Sequence, residues 1–221
     1  MSDKFSTWSD QDLSDVVGAY PMASILGLDE DPSTLDMPVL LERDASGKPS
    51  SLLGHLPRRS TLVRGKGVVA RAIFIFHGPA GYISPAMAGR SNWAPTWNFI
   101  TVKIIADIST DDGLTDEALR RTVAHMEQDQ PLPWSIDQIG ERYEKLKTAI
   151  VGFRAQIVSV SARFKLGQDE TSETFEHIVS KLDDTSLKYW MLRMREVDNT
   201  AKLSVAASKQ VARSEKTSST P

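Results

Sequence analysis

The sequence contains no cysteine. Disulfide bonds, a thiolate nucleophile and cysteine-ligated zinc or iron–sulfur centres are therefore excluded. Histidine is scarce, with four residues at positions 55, 77, 125 and 177, and their spacing matches no HExxH-type motif, so we expect no metal site. No apolar run approaches the roughly 18 residues of a membrane-spanning helix, and the first residues lack a basic segment followed by an apolar one. We therefore expect a cytoplasmic protein that does not enter a membrane.

Acidic residues are missing from the middle of the chain. Residues 1–36 carry eight acids against one lysine, whereas residues 45–106 contain no acid at all. The basic residues of that middle segment are Lys48, Arg58, Arg59, Arg64, Lys66, Arg71, Arg90 and Lys103. An uncompensated basic segment attracts an anion, either a phosphate group or a nucleic acid backbone. The alternative is that the acids of the N-terminal part fold over it.

The 221 residues, of which 40% are hydrophobic and 25% charged, indicate a globular chain. Ser9 is placed to cap a short helix that Pro21 ends. The apolar patterns predict strands at 22–28, 37–43, 50–55, 67–77, 97–109 and 153–166, with the second and third paired as a hairpin. The acidic stretch 29–36 reads as a loop, and the last strand changes its apolar parity near Ile157 and Val158, which predicts a β-bulge or a strong twist.

Helical spacing recurs between and after the later strands. Leu119, Val123 and Met126 predict one helix, and a capping box at Ser135 and Gln138 predicts another of about four turns that ends at Gly152. The predicted fold class is therefore α+β or mainly β, an antiparallel split β-barrel with peripheral helices and a C-terminal helical segment. We expect a barrel domain over 1–168, a helical extension over 169–206 and a disordered polar tail over 207–221. The apolar stripe of that extension comprises Phe175, Ile178, Leu182, Leu187, Trp190, Met191, Met194 and Val197.

Residues 76–99 have the composition of a ligand-binding loop. They hold five aromatic residues, three glycines and three prolines between two apolar segments. A loop of roughly twenty residues without regular structure is usually functional or disordered. Composition leaves two alternatives open: the wall of a pocket for a flat polar molecule, or an ordered crossover that fills a gap in the core.

The segment GHLPRRS at 54–60 interrupts the strand pattern with Gly54 and Pro57. Its two arginines and Ser60 could grip a phosphate at the start of a short helix, because guanidinium groups and free N–H groups bind phosphate oxygens. Solvated surface arginines are the alternative.

Several motifs in a fixed order resemble one family. GHLPRRS, FHGPAGYISP, APTWNF, LPW, AIVGF and FKLGQDE are similar to those of the PaiB-type FMN-binding negative transcriptional regulators, a branch of the FMN-binding split barrels related to pyridoxamine-phosphate oxidases. The resemblance runs from about Asp10 to about Leu182. It implies a split barrel that forms a homodimer with FMN at the subunit interface.

The resemblance also implies the residues that hold the cofactor. The expected cofactor-binding residues are His55, Arg58, Arg59, Ser60, Tyr82, Ser84, Thr96, Trp97, Asn98, Lys165 and Gln168. Arg58, Ser60 and Ser84 are expected to hold phosphate, and Thr96 and Asn98 the edge of the ring. The chain departs from the family pattern at Arg59, Ser60, 36–38 and 86–88, which leaves the second ligand or substrate open.

Three functions remain open from the sequence. The first is an FMN-binding homodimer with a regulatory or flavin-linked redox role. The second is a flavin-dependent oxidoreductase acting on a small molecule, in which His55 or His77 could move a proton. The third is a barrel that binds haem or another planar anion, or that serves as an interaction module without FMN. No helix-turn-helix with a basic recognition helix is evident, so direct DNA binding is poorly supported.

Overall fold

The computed structural model describes residues 4–28, 34–64, 68–197 and 200. Six strands form a closed barrel in the order β1-β2-β3-β6-β5-β4. Their bounds are β1 (Met22–Gly27), β2 (Thr34–Arg43), β3 (Pro49–Pro57), β4 (Ala70–Ile83), β5 (Thr96–Asp111) and β6 (Ile150–Lys165). The helices are α1 (Asp10–Ala19), α2 (Pro85–Ala88), α3 (Leu114–Glu127), α4 (Arg142–Lys147), α5 (Ser172–Lys181) and α6 (185–197), with short 3-10 helices at Lys4–Ser6 and Ile136–Ile139. The predicted fold class, an α+β barrel, is confirmed.

The described residues divide into two compact units. The first contains residues 4–7, 79–100 and 164–200, and the second contains 8–78 and 101–163. In the second unit the core is the barrel interior, where the rings of Phe74 and Phe153 lie 6.0 Å apart. In the first unit the core forms around Phe164, whose ring lies 5.8 Å from that of Trp190. Each unit therefore has its own apolar interior.

Local sequence signals were reliable where an element is stabilised mainly by its own residues. Ser9 accepts a hydrogen bond from the Asp12 backbone N–H, and the Asp12 side chain accepts from the Ser9 backbone N–H, so α1 begins with a capping box. The hairpin of β2 and β3 is antiparallel, with Leu41 opposite Leu52. In β5, which was predicted at 97–109, every second residue is buried, namely Ile100, Val102, Ile104, Ala106 and Ile108. β2 begins at Thr34, earlier than predicted, and 29–33 lie outside the described residues.

The predicted parity change in β6 is confirmed. Val151, Phe153 and Ala155 are buried at odd positions, whereas Ala162 and Phe164 are buried at even positions. Between these two runs no side chain is buried.

The predicted long loop at 76–99 is wrong. β4 continues to Ile83, α2 follows, and β5 begins at Thr96, so only Ser84 and 89–95 lie outside helix and strand. The glycines allow close packing within the strand. A Cβ atom at Gly81 would lie 2.7 Å from Leu187 Cδ2, so its absence lets α6 approach β4.

The predicted break and short helix at GHLPRRS are also wrong. β3 extends through Gly54 to Pro57, and turns follow it. A Cβ atom at Gly54 would lie 2.8 Å from two ring atoms of Phe153. The glycine therefore makes room for an aromatic ring on the strand and does not interrupt it.

The helix predicted from Leu119, Val123 and Met126 is confirmed as α3, but its buried face differs from the prediction. α3 buries its small residues Thr115, Ala118 and Thr122, while Met126 is 52% exposed, so the predicted stripe of large residues is wrong. Small residues on that face allow the helix to lie close to the sheet.

The predicted four-turn helix at 136–150 is divided at Gly140, which has φ +63. Ser135 Oγ accepts from the Asp137 backbone N–H, not from that of Gln138. Ile150 belongs to β6 and not to a helix. The carbonyls of Thr148 and Ile150 instead accept hydrogen bonds from the guanidinium of Arg58.

The C-terminal helical prediction is confirmed for the described residues. Phe175, Ile178, Leu187, Trp190, Met191 and Met194 are buried on α5 and α6, whereas Val197 is exposed. The predicted disordered tail at 207–221 lies outside the described residues.

Candidate functional site

Two aromatic rings of the first unit lie side by side with unusual exposure. Tyr82 on β4 and Trp97 on β5 have ring centroids 6.0 Å apart in an edge-on arrangement. Their exposed fractions are 50% and 56%. Aromatic side chains gain much from burial, so a pair that remains half exposed offers a surface that a flat molecule or a partner chain can cover.

A lysine ammonium is bound to the start of β5, the strand that carries Trp97. Lys165 Nζ on β6 donates hydrogen bonds to Thr96 Oγ1 and to the Trp97 carbonyl, the latter at 2.8 Å. Within the described part of the chain no carboxylate forms an ion pair with it. The structure thus brings four of the predicted site residues together: Tyr82, Thr96, Trp97 and Lys165. Tyr82 meets the Trp97 ring, and Lys165 meets the Trp97 backbone and the Thr96 side chain.

Two other predicted residues of the first unit are buried amides. Asn98 Nδ2 lies 3.5 Å from Met191 Sδ. Gln168 Oε1 accepts from the Leu166 backbone N–H at 2.8 Å, and its Nε2 donates to the Phe164 carbonyl at 2.6 Å. Both amides therefore stabilise their own unit, and their predicted role toward a cofactor stays a prediction.

Ser84 stands at the beginning of α2. Its Oγ accepts a hydrogen bond from the Met87 backbone N–H at 3.2 Å. The hydroxyl keeps its own proton as a donor, since this capping bond uses only an acceptor lone pair. The predicted phosphate contact of Ser84 stays a prediction.

The remaining predicted residues lie in the second unit, on β3 and just after it. Arg58 Nη2 donates to Asp112 at 2.7 Å and to the Ile150 carbonyl at 2.8 Å, and its Nε donates to the Thr148 carbonyl at 3.1 Å. These bonds make Arg58 a clamp between β3 and the start of β6. Arg59 is exposed and forms no ion pair with any described residue. Ser60 Oγ accepts from the Leu62 backbone N–H at 3.3 Å.

His55 has a buried ring nitrogen without a partner. Its Nδ1 is inaccessible and forms no hydrogen bond with the described residues. Burial lowers the pKa of this imidazole, which favours its neutral form. A buried polar atom is normally satisfied by protein, water or ligand, and the predicted role of His55 toward a cofactor stays a prediction.

The basic middle segment is partly compensated by acids that follow it in the sequence. Asp107, Asp112 and Glu173 pair with arginines of that segment, namely Arg71, Arg58 and Arg90. The Arg71 guanidinium beside Asp107 lowers the pKa of that carboxyl. Three arginines of the segment therefore have acidic partners from later in the chain.

Other site types find no support in the described ranges. No group of three His, Asp or Glu side chains there is arranged to hold a metal ion. Among the same residues no helix has the length and apolar composition needed to cross a membrane.

Comparison with known proteins gives a family match over most of the chain. Residues 1–159 match the model of the family described as "Putative FMN-binding domain". A relative in Bacillus subtilis (strain 168), the protease synthase and sporulation protein PAI 2, is 28% identical over 118 residues. That alignment covers 51% of this chain and 55% of the relative, so the chain spans about half of the relative's length.

Two solved structures are similar to this chain at low sequence identity. The FAD and heme binding protein from Mycobacterium smegmatis is 14% identical with a TM-score of 0.50, over 80% of each chain. The flavocytochrome Anf3 from Azotobacter vinelandii is 14% identical with a TM-score of 0.48, over 74% of this chain and 70% of that one. The first similarity shows a common fold.

Proposed function

Since the chain belongs to the family described as "Putative FMN-binding domain", we propose that it is a flavin-binding homodimer with a regulatory or flavin-linked redox role. The resemblance to the PaiB-type FMN-binding proteins is confirmed. FMN or a related flavin is the cofactor. The regulatory role and the dimer are the parts that this proposal adds.

The observation that carries the proposal is the exposed aromatic pair, one member of which, Trp97, also binds the Lys165 ammonium through its backbone carbonyl. A flavin has a flat ring that Tyr82 and Trp97 can cover, and ring oxygens and nitrogens that accept hydrogen bonds from an ammonium. Lys165 is fixed by two acceptors, Thr96 and the Trp97 carbonyl, so its charge is positioned before the ligand arrives. A bound flavin supplies electron-transfer chemistry that no side chain provides.

Within the second unit, the contacts leave Arg59 and Ser60 better suited than Arg58 to meet an anion. The bonds of Arg58 to Asp112 and to two carbonyls occupy its Nε and Nη2. Arg59 makes no ion pair with a described residue and offers a planar fork to an anion.

Removal of one exposed ring tests the flavin surface. Tyr82→Ala is expected to weaken FMN binding about tenfold, because a lost aromatic stacking contact costs on the order of 1 kcal/mol. The measurement is quenching of flavin fluorescence on titration with the purified protein. Tyr189→Ala is the matched control, since Tyr189 is an equally exposed tyrosine, at 56%, on α6.

If the two variants bind FMN equally well, Tyr82 is not part of the site. If the unmodified protein produces neither quenching nor a thermal shift with FMN, the proposed flavin site itself is wrong.

The homodimer is supported by the middle of β6. Pairing of β6 with β3 ends at Gln156 opposite Ser51, and no side chain from Gln156 to Ser161 is buried. Val158 is 51% exposed. Apolar β-branched residues exposed on a strand that continues past its neighbour are suited to contact a second copy.

Val158→Asp is expected to weaken the dimer at least about tenfold, because a carboxylate desolvated at the interface has no partner there. Light scattering behind a sizing column should show a shift from dimer to monomer. Leu132→Asp is the control, because Leu132 is 90% exposed and lies outside the barrel strands. A monomeric unmodified protein, or equal behaviour of the two variants, would contradict this assignment of the interface.

An oxidoreductase is the second candidate, and His55 is the observation in its favour. Its unpartnered Nδ1 and lowered pKa leave a neutral imidazole that can take up a proton. Anaerobic reduction of the flavin-loaded protein by NADH or NADPH, followed by turnover with an electron acceptor, would favour an enzyme. No reduction under these conditions would favour the regulatory role.

A further inference from the structure

A separate cavity lies in the second unit, between α1, α3 and β2. Its volume is about 420 Å³, within the range of small-molecule sites. Val17, Leu40 and Leu41 give it apolar walls, and none of the predicted cofactor-binding residues lines it. The family resemblance therefore gives this cavity no role.

A hydrogen bond joins the two helices that line the cavity. His125 Nε2 on α3 lies 2.7 Å from the Gly18 carbonyl on α1. A Cβ atom at Gly18 would contact only His125 Cε1, at 3.9 Å. The space next to Gly18 is therefore empty. Ala124, also in the lining, is equally small. The cavity is thus held open by backbone and by short side chains.

The charges around the cavity are of one sign. Arg43 and Arg121 belong to its lining, and no aspartate or glutamate does. Arg121 is neutralised, since its Nη1 donates to Glu42 at 2.6 Å and to Glu117 at 2.8 Å. Arg43 donates instead to two neutral acceptors, the Gly47 carbonyl and Gln11 Oε1, each at 2.9 Å. In the described part of the chain no carboxylate forms an ion pair with Arg43, so one positive charge at the rim remains.

We propose that this cavity binds a small monocarboxylate with an apolar body. The carboxylate pairs with Arg43, whose guanidinium matches its geometry. The apolar body lies against Val17, Leu40 and Leu41. One uncompensated charge and apolar walls favour a monoanion with a hydrocarbon part over a phosphate or a dicarboxylate. This site is independent of the proposed flavin function.

Hexanoate is the probe, with hexanamide and inorganic phosphate as matched ligands. We expect hexanoate to bind the full-length protein with a dissociation constant below about 1 mM, measured by calorimetry and by thermal shift. Hexanamide should bind at least about tenfold more weakly, because it lacks the charge. Arg43→Gln should weaken hexanoate binding about tenfold, whereas Lys103→Gln, which removes an exposed charge from β5, should leave it unchanged. Ala124→Leu should fill the cavity and abolish binding.

Three results would overturn the proposal. The first is equal affinity for hexanoate and hexanamide, and the second is an Arg43→Gln variant that is folded by circular dichroism and binds as the unmodified protein does. The third is no hexanoate binding up to about 10 mM. Tighter binding of phosphate than of hexanoate would contradict the proposed apolar ligand and would indicate a site for a simple anion. FMN affinity measured in the same variants keeps the two sites distinguishable, because loss of flavin binding alone leaves the hexanoate result standing.

Discussion

Gly152→Ala is expected to lower the free energy of unfolding by about 3 kcal/mol or more. A Cβ atom at this position would lie 2.4 Å from the carbonyl carbon of Leu114 and 2.6 Å from both the Leu114 oxygen and the Thr115 nitrogen. These are backbone atoms, so no side-chain rotation relieves the overlap. The Gly152 backbone N–H also donates to Thr115 Oγ1 at 2.9 Å. Alanine would therefore push α3 away from β6 and break a buried hydrogen bond.

The matched control is Gly18→Ala in α1. Its added methyl group would meet only His125 Cε1 at 3.9 Å, and alanine is favoured over glycine in a helix by roughly 0.5–1 kcal/mol. Urea unfolding followed by circular dichroism should therefore give changes of opposite sign in the two variants. Equal stability of Gly152→Ala and the unmodified protein would mean that α3 does not pack this closely on β6.

Gly152 illustrates which parts of the fold the sequence could predict. α1, the β2–β3 hairpin and the alternation of β5 follow from local signals, namely a cap, a turn and a period of two. Gly152 was interpreted locally too, as the residue that ends a helix. In the structure its role is to admit the backbone of Leu114 and Thr115, which are distant in sequence. A single sequence carries no signal of such a contact.

The same distinction applies to the other predicted breaks. Gly54 and Gly81 resembled loop residues, but each lies within a strand and makes room for a side chain, Phe153 or Leu187. The long helix predicted after Ser135 does not form, for a related reason. Carbonyls at its end bond to Arg58, a residue that lies on the other side of β4 and β5 in sequence. At Gly54, at Gly81 and after Ser135, the structure differs from the prediction where residues distant in sequence make contact.

The order of the motifs predicted the residues of the candidate site, and the structure brings some of them together. Lys165 meets Thr96 and the Trp97 carbonyl across 69 and 68 positions of sequence, which spacing alone could not predict. The sequence did not predict Arg43 and Arg121 as binding residues, because they belong to different elements and to no motif. Whether each arginine keeps an unpaired charge depends on the acceptors that it bonds, and the sequence does not show those acceptors.

A second large effect is expected at Glu42, the centre of a partly buried ion network. Its side chain is 14% exposed. Its Oε2 accepts from Arg154 Nε and Ser51 Oγ, both at 2.7 Å, and its Oε1 accepts from Arg121 at 2.6 Å. Glu117 bonds the same two arginines at 2.8 Å, so two acids balance two bases. The network joins β2, β3, β6 and α3.

Glu42→Gln is expected to destabilise the protein by about 2 kcal/mol at pH 7, because two arginines lose their shared carboxylate. Burial raises the pKa of Glu42, but hydrogen bonds from Arg154, Ser51 and Arg121 outweigh that effect and lower the pKa from 4.5 to about 2. A carboxyl with a lowered folded-state pKa stabilises the fold above its unfolded-state pKa. That contribution is lost as the pH falls from 4.5 toward about 2. The difference between the variant and the unmodified protein should therefore shrink over this range.

Glu144→Gln separates this effect from the loss of any surface charge. Glu144 pairs with Lys147 at 2.9 Å but is 73% exposed, so its removal should cost less than about 0.5 kcal/mol at any pH. Urea unfolding at several pH values between about 2 and 7 gives both comparisons. A Glu42→Gln penalty that stays constant through the acid range would mean that the cost comes from packing or from the Ser51 hydrogen bond. Only a penalty that follows the protonation of Glu42 assigns the stabilisation to its charge.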